Sequence, residues 1–464
     1  MHTPFDHEVA IVGAGPAGIG VAVALERLEV DYVVLERDCI GASFRAWPAE
    51  MRLLTPSFPA NAFGVRDLNA ITPDTAPALA LDCEHPTGEE YADYLEAVAE
   101  FHEVPVRTGV DVERVVPGDD RDAAGGSSGF TLETNDGSIR ARFVVWAAGE
   151  YQYPATGAIA GAERAVHVST IDSWSDHARR VAANASIDAF DGAGADAVLD
   201  PAPETAADGG DAFSATDEAS AFHGLNREEP AANVEQSADE PVGDDVIVVG
   251  GAESGIDAAL GLAEAGLSVT VLDEEGTWQY RSPDPSEVLS PRTTERLEAA
   301  LAAEYPIDLV AGIRVDRIER LQSRAAVARD SDDESGAGEA VDAEYVVVTN
   351  DGDEIRSRTP PVLATGFEGS LTAVDDLFDV DDDGPSLTDR DESATTPGLF
   401  LAGPAVTHDG QQFCFIYKFR QRFAVVAETI GDRLGVDTDP LEEYREKEMV
   451  LEDLDCCEPD YCDC

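Results

Sequence analysis

The sequence predicts an α/β protein with two Rossmann-like, three-layer domains, the first of them discontinuous. Three observations carry that expectation. A strand, a glycine-rich turn, a small-residue helix and a second strand occur twice, over residues 9–36 and 246–273. Further apolar strands ending in glycine stand between and after the two units, as parallel sheets require. The chain, at 464 residues, is long enough for two or three domains with sizeable cores.

The first unit opens with Val9-Ala10-Ile11-Val12, an apolar run that suits a buried strand. Gly13, Gly15 and Gly18 then match G-x-G-x-x-G. The first glycine permits the tight turn, the second lets backbone approach a pyrophosphate, and the third lets helix and strand pack closely. Pro16 and Ala17 lead into a helix whose unpaired N–H groups and positive dipole end would face phosphates. Glu36 closes the second strand, 18 residues after Gly18, where a carboxylate can take ribose hydroxyls. Glycine-rich turns are common; strand, helix and distal acid together mark a nucleotide site.

Residues 105–116 and 130–147 alternate as strands, with Asn135-Asp136-Gly137 as a hairpin turn. They close in Phe143-Val144-Val145-Trp146-Ala147-Ala148-Gly149, and Gly149 is a candidate cofactor contact. The second unit runs through Val246–Val249 into Gly250-Gly251-Ala252-Glu253-Ser254-Gly255. Gly250, Ser254 and Gly255 are its candidate contacts. Ala252 replaces the middle glycine, and its methyl should push a pyrophosphate away or shift the turn. Asp273 ends the second strand, followed by Glu274 and Glu275, acids that would repel a 2′-phosphate. With no arginine cluster nearby in the sequence, NADH is favoured over NADPH; Arg281 is the residue that could overturn this. Strands at 361–366 and 398–403 follow, the latter leading to a long helix over roughly 412–434.

These elements divide the chain at 1–160 and 359–450 for the first domain, and 161–187 with 246–358 for the second. Residues 188–245 hold 16 acidic residues against Arg227 alone and read as a disordered insertion. An acidic loop over 330–339 reads as a decorated hairpin turn. Overall the chain carries 94 acidic against 31 basic residues, a net charge of −63, with only two lysines, Lys418 and Lys447. Such a surface needs concentrated salt to screen its self-repulsion, the signature of a halophilic cytosol. It offers no basic patch to nucleic acid or anionic membrane. The first strand starts near Glu8, and no apolar run reaches membrane-spanning length, so a cytoplasmic protein is expected. The expected partners are a small-molecule substrate and, as one option, a second copy in a homodimer.

Of seven cysteines, Cys39, Cys83 and Cys414 stand alone, while Cys456, Cys457, Cys462 and Cys464 crowd the last nine residues, a tail spanning 451–464. Four such thiols have three readings: a redox relay, a soft-metal site for zinc or Cu(I), or inert groups. The adjacent pair Cys456-Cys457 is not the usual C-x-x-C zinc half-site, so no metal is assigned.

Two nucleotide units in one chain resemble the two-dinucleotide-binding-domain flavoproteins. Met51-Arg52-Leu53-Leu54-Thr55-Pro56-Ser57, Trp146-Ala147-Ala148-Gly149-Glu150-Tyr151 and the Gly250–Gly255 turn resemble one branch in particular. That branch holds flavin-containing monooxygenases and bacillithiol-disulfide-reductase-like proteins. Phe413-Cys414-Phe415-Ile416-Tyr417-Lys418-Phe419-Arg420 is similar to a signature of a subgroup close to them. The resemblance implies FAD on the first unit, NAD(P)H on the second, and a late strand that carries Gly403 past the isoalloxazine. It further implies a helix N-terminus aimed at the pyrimidine edge of the flavin. Pro404 stands where many relatives place an Asp on the ribityl chain. Gly161, His167 and Trp174 approximate the monooxygenase fingerprint with altered spacing and no leading aromatic, and His167 reads equally as a packing residue. Disulfide reductases of this kind need a cysteine pair near the flavin; the bacillithiol branch carries a Cys in the first glycine loop, where Ala17 stands. The expected activity is hydride transfer from NAD(P)H to FAD, followed by monooxygenation of a small organic substrate. The alternatives are thiol or disulfide reduction through the tail, and a non-enzymatic FAD/NAD redox or metal sensor. No side chain is assigned as catalytic acid or base.

Overall fold

The computed structural model describes residues 5–59, 66–118, 129–151, 153–190, 246–278, 288–322, 343–381, 384–408 and 410–454. Residues 191–245 of the acidic insertion, the 330–339 loop, Arg281 and all four tail cysteines lie outside them.

Strands that are apolar along their whole length must be covered on both faces, and the chain supplies helices to do this. The first sheet comprises β1 (His7–Val12), β2 (Tyr32–Glu36), β3 (Val106–Thr108), β4 (Val112–Pro117), β5 (Phe130–Thr134) and β6 (Gly137–Trp146), in the order β3-β2-β1-β6-β5-β4. β6 is long enough to serve two neighbours along one edge. Its first half pairs antiparallel with β5 across the expected Asn135-Asp136 turn. Its second half, Val144–Trp146, pairs parallel with Leu399–Leu401 from the far end of the chain. Helix α1 (Pro16–Glu26) covers β1 with residues that are almost all buried, which explains its run of Ala, Val and Gly.

From β6 the chain crosses out through β7 (Tyr153–Pro154) to β8 (Val166–His167) and α2 (Trp174–Phe190). The second sheet, entirely parallel, adds β9 (Val246–Val249), β10 (Val269–Asp273) and β11 (Ile307–Ala311). Helices α3 (Glu253–Glu264) and α4 (Pro291–Ala302) cover it. Ser290 caps α4 by accepting the Thr293 N–H, and Pro291 fills the first turn, where no N–H is needed. An antiparallel meander follows, β12 (Val315–Gln322), β13 (Ala343–Thr349) and β14 (Glu354–Ser357), and backs onto the second sheet. Strand β15 (Val362–Leu363) completes that sheet between β9 and β8, and β16 (Phe367–Glu368) returns to the first domain, pairing antiparallel with β7.

Two expectations change here. The segment at 361–366 was placed in the first domain from residue 359 onward, yet β15 pairs with Val248-Val249 and belongs to the second sheet. The crossing back comes at β16. The long helix expected over 412–434 is interrupted: Gln411–Gln412 is a strand, a short helix spans Ile416–Phe419, and α5 begins only at Phe423, running to Leu434. Arg420 and Arg422 explain the break. Arg420 is pulled to the carbonyls of Asp67 and Ala70, and Arg422 to Asp391, Asp389 and Leu451.

Candidate functional site

The first glycine loop is held from three sides. Gly13 donates its N–H to the Leu35 carbonyl (2.8 Å), and Ala147 donates to that of Val12 (2.9 Å). Gly13 has φ +102°, and a Cβ there would strike the Ala147 carbonyl at 2.5 Å, so only glycine fits. At Gly18 a Cβ would stand 1.9 Å from the Gly13 oxygen, which is the close helix–strand contact foreseen for it. Gly15 differs. It is the N-cap of α1, with φ −82° and ψ −171°, and a Cβ there would meet nothing within 4 Å. The space beside it is open to a ligand.

Glu36 reaches the loop from the end of β2. One carboxylate oxygen accepts the Ala14 N–H at 2.7 Å, and the other accepts that of Asp38 at 2.8 Å. Both keep a lone pair for a further donor. The C-terminal segment arrives at the same place, since a Cβ on Gly403 would lie 3.2 Å from that of Ala17. Gly13, Gly15, Pro16, Ala17, Gly18, Glu36 and Gly403 are thus brought together from both ends of the chain, with the 147–149 crossing against Gly13.

The second loop repeats this plan. Gly250 donates to the Leu272 carbonyl (2.9 Å), and Ala364 donates to that of Val249 (2.8 Å). Asp273 accepts the Gly251 N–H at 2.6 Å with one oxygen and those of Glu275 and Gly276 with the other. A Cβ on Gly255 would be 1.9 Å from the Gly250 oxygen. Ser254 sits half-buried in the first turn of α3. Of the two outcomes expected at Ala252, the shifted turn does not occur: its φ and ψ are −76° and −170°, and the turn keeps its course.

Sequence reasoning missed what surrounds this second loop. The Trp278 indole donates to the Gly251 carbonyl (2.9 Å), closing over the turn. Glu253, at the start of α3, accepts from the Ser290 N–H and the Thr293 hydroxyl, tying α3 to the start of α4. Glu50, from the first domain, accepts from the Ser173 hydroxyl and from the N–H groups of Trp174 and Ser175, and so caps α2 across the domain seam. Burial opposes its charge, but these donors prevail and bring its carboxyl down to about 2. No pattern in the sequence pointed to Glu50, because its partners lie more than a hundred residues away.

At the crossing, Gly149 (φ +78°) accepts the Ser370 N–H, and Glu150 and Tyr151 follow it. Burial raises the Glu150 carboxyl. Tyr151 is 54% exposed, with its ring edge-on to Phe367 at 5.5 Å. The surrounding protein, then Glu150 and Cys414, push its hydroxyl up to about 12. The fingerprint residues are dispersed. His167 binds the Gly366 carbonyl and the Ser169 hydroxyl, the Trp174 indole donates to Asp257 (3.1 Å), and Gly161 packs on the Ile318 carbonyl. Each has a structural duty. Cys39, Cys83 and Cys414 form no disulfide, and among the described residues no group of three or more His, Cys, Asp or Glu could hold a metal. Nor, among those residues, is any helix long and apolar enough to cross a membrane.

This architecture is shared with solved structures. It matches the bacillithiol disulfide reductase Bdr (YpdA) from Staphylococcus aureus at a TM-score of 0.60 and 17% identity, over 92% of this chain and 98% of that one. Thioredoxin reductase of T. acidophilum matches at 0.52 and 16%, covering 92% and 99%. A flavin-containing monooxygenase from Stenotrophomonas maltophilia matches at 0.53 and 14%, covering 92% and 98%. At such identities these likenesses speak for the fold. In sequence, "FAD-dependent oxidoreductase domain-containing protein 2" of Danio rerio is 27% identical over 141 residues, 28% of this chain and 20% of that protein. The family model described as pyridine nucleotide-disulphide oxidoreductase matches residues 10–186, 217–339 and 332–403, and the chain belongs to that family, within the two-dinucleotide-binding-domain flavoproteins.

Proposed function

We propose that the chain is an FAD-dependent NAD(P)H oxidoreductase of the cytosol, acting on a small molecule and adapted to concentrated salt. The observation that carries this reading is the repeated loop in which a strand-end acid grips the amide after the first glycine, Glu36 on Ala14 and Asp273 on Gly251. The first loop fits a dinucleotide, because Gly15 leaves open space and Glu36 retains acceptor capacity. Gly13, Gly15, Pro16, Ala17, Gly18 and Glu36 would hold FAD, with Gly149 and Gly403 alongside. Gly250, Ser254, Gly255 and Asp273 would hold the nicotinamide nucleotide, NADH being favoured by the acids at 273–275. FAD, when bound, accepts a hydride from the nicotinamide and passes electrons onward. The protein binds, orients and shields both partners.

For the onward step we favour monooxygenation. Ala17, facing Gly403, offers no thiol where the first loop meets the returning segment. The half-exposed Tyr151 with Phe367 gives the crossing an aromatic surface suited to an organic substrate. Thiol or disulfide reduction is the second reading, supported by Cys414 within electrostatic reach of Tyr151 and by the four tail cysteines.

The test starts with protein purified in concentrated KCl. Bound FAD, bleached without oxygen by NADH or NADPH, is the expected result; flavin that neither nucleotide reduces would leave only the sensor reading. Replacing Cys456, Cys457, Cys462 and Cys464 together by Ser separates the onward steps. Oxygen uptake unaffected by that change supports monooxygenation, and loss of NADH-driven disulfide reduction supports the relay.

A further inference from the structure

The end of the first domain carries chemistry that the two nucleotide loops do not use. Thr407–His408 and Gln411–Gln412 pair antiparallel as a short hairpin, and the His408 side chain on it is nine-tenths buried. Its Nε2 lies 2.6 Å from Asp391 Oδ1. Asp391 is fully buried, and its carboxylate also accepts from Arg422 through Nε (2.9 Å) and a terminal nitrogen (3.0 Å). A carboxylate only accepts, so the neutral imidazole donates from Nε2 and keeps Nδ1 as an acceptor. Nδ1 has no hydrogen-bond partner among the described residues.

His408 lines an open-mouthed cavity of about 730 Å³. The 384–389 turn, the Thr407–His408 strand and the 452–454 segment form its walls. Arg422, itself buried, fixes all three from behind. It donates to the Asp389 and Leu451 carbonyls, and through Asp391 it holds His408. Among the described residues no lysine or arginine lines the cavity. Glu452 is balanced by Arg445 at 2.6 Å and Arg390 at 3.7 Å, whereas the Asp389 carboxylate and the Thr407 hydroxyl have no partner among the described residues. Leu387 and Leu454, partly buried against the first core, supply an apolar stretch of wall. The arrangement escaped the sequence because three separate segments assemble it.

Free acceptors, an unbalanced negative charge and an apolar wall are complementary to a cation that carries N–H groups on a short hydrocarbon. A metal ion is a poorer match, since among the described residues no three His, Cys, Asp or Glu groups come together to hold one. We propose that this cavity binds a small organic ammonium, its N–H donated to His408 Nδ1, its charge set against Asp389 and its carbon chain laid on Leu387 and Leu454. An exposed acid elsewhere on this surface offers charge alone, which concentrated salt screens; His408 adds a directed, largely buried acceptor. Because Arg422 holds the walls in place beforehand, little ordering is left for the ligand to offset.

The full-length protein in concentrated KCl is titrated calorimetrically with n-butylammonium chloride at constant ionic strength, and in parallel with tetramethylammonium chloride, a cation without an N–H. Butylammonium should bind saturably, and tetramethylammonium about tenfold more weakly or not at all. His408→Phe removes the acceptor and keeps a ring beside Phe413; Asp389→Asn removes the charge and keeps the carbonyl that Arg422 holds. Each should weaken butylammonium about tenfold, the loss of one charge-assisted contact. Glu298→Gln, exposed on α4 of the second domain, should leave binding unchanged. Should His408→Phe fail to fold, Asp389→Asn and the comparison of the two cations still decide. A wild type that does not bind butylammonium, equal binding of both cations, or variants that bind as the wild type does overturns the site. The titration involves neither FAD nor a nicotinamide nucleotide, so its outcome is separate from that of the function proposed above.

Discussion

At residues 13–18 and 250–255 the chain makes one turn twice. Gly13 and Gly250 have φ of +102° and +100°, and Gly15 and Ala252 are extended at −82°/−171° and −76°/−170°. The flanking hydrogen bonds correspond one for one, down to the acid on the amide after the first glycine. What differs is the ligand side. Gly15 leaves open space, whereas Ala252 puts a methyl there and Trp278 closes on Gly251. The comparison separates two demands on the motif: glycine is needed for folding at the first and last positions, and only for ligand approach in the middle.

That separation can be broken at several points. The largest effect is expected from Gly18→Ala and Gly255→Ala, each of which sets a methyl against a carbonyl oxygen 1.9 Å away. Each should cost about 3 kcal/mol in denaturant unfolding, and a tolerant member of the pair would show that the two turns are not equivalent. Gly15→Ala should change stability by less than about 0.5 kcal/mol while reducing flavin affinity about 100-fold, measured as FAD retained on dilution. The reverse change, Ala252→Gly, should lower KM for the nicotinamide nucleotide about threefold. Glu36→Gln and Asp273→Asn should each weaken only their own nucleotide, by about tenfold, and crossed effects would refute the division of labour.

A modest effect is expected at the seam. Glu50 titrates at about 2 in the folded protein against an ordinary 4.5, so its contribution is complete above the unfolded value and is lost as pH falls through 2. Because the side chain is exposed, Glu50→Gln should cost only about 1 kcal/mol at neutral pH. The difference from wild type should fade on acidification; a gap that stays constant with pH would remove the carboxylate from the account.

Both nucleotide units were legible because their signals are local: an apolar run, a turn and a distal acid within thirty residues. The Asn135-Asp136 hairpin was legible for the same reason. Features made by distant partners were not. The break between Ile416–Phe419 and α5 arises from carbonyls near residues 67–70 and from Asp391, which no helical periodicity registers. His167 and Trp174 had the composition of a fingerprint but are engaged by Gly366 and Asp257. β15 looked like a return to the first domain because its sequence parallels the end of β6; pairing with β9 decided otherwise. That Ala252 leaves the turn unshifted was not legible, because residue type alone does not reveal a negative φ.

The shared edge of β6 has a consequence for biosynthesis. Val144–Trp146 must wait for Leu399–Leu401, more than half the chain away, before that edge is closed. At about 5–20 residues per second, the interval on the ribosome is about 10–50 s. The whole second domain emerges in that time and can fold, while the first holds an unpaired apolar strand edge open to other chains. The nascent protein is therefore most prone to aggregation midway through translation, and release of a chain ending before Leu399 would fix it in that state.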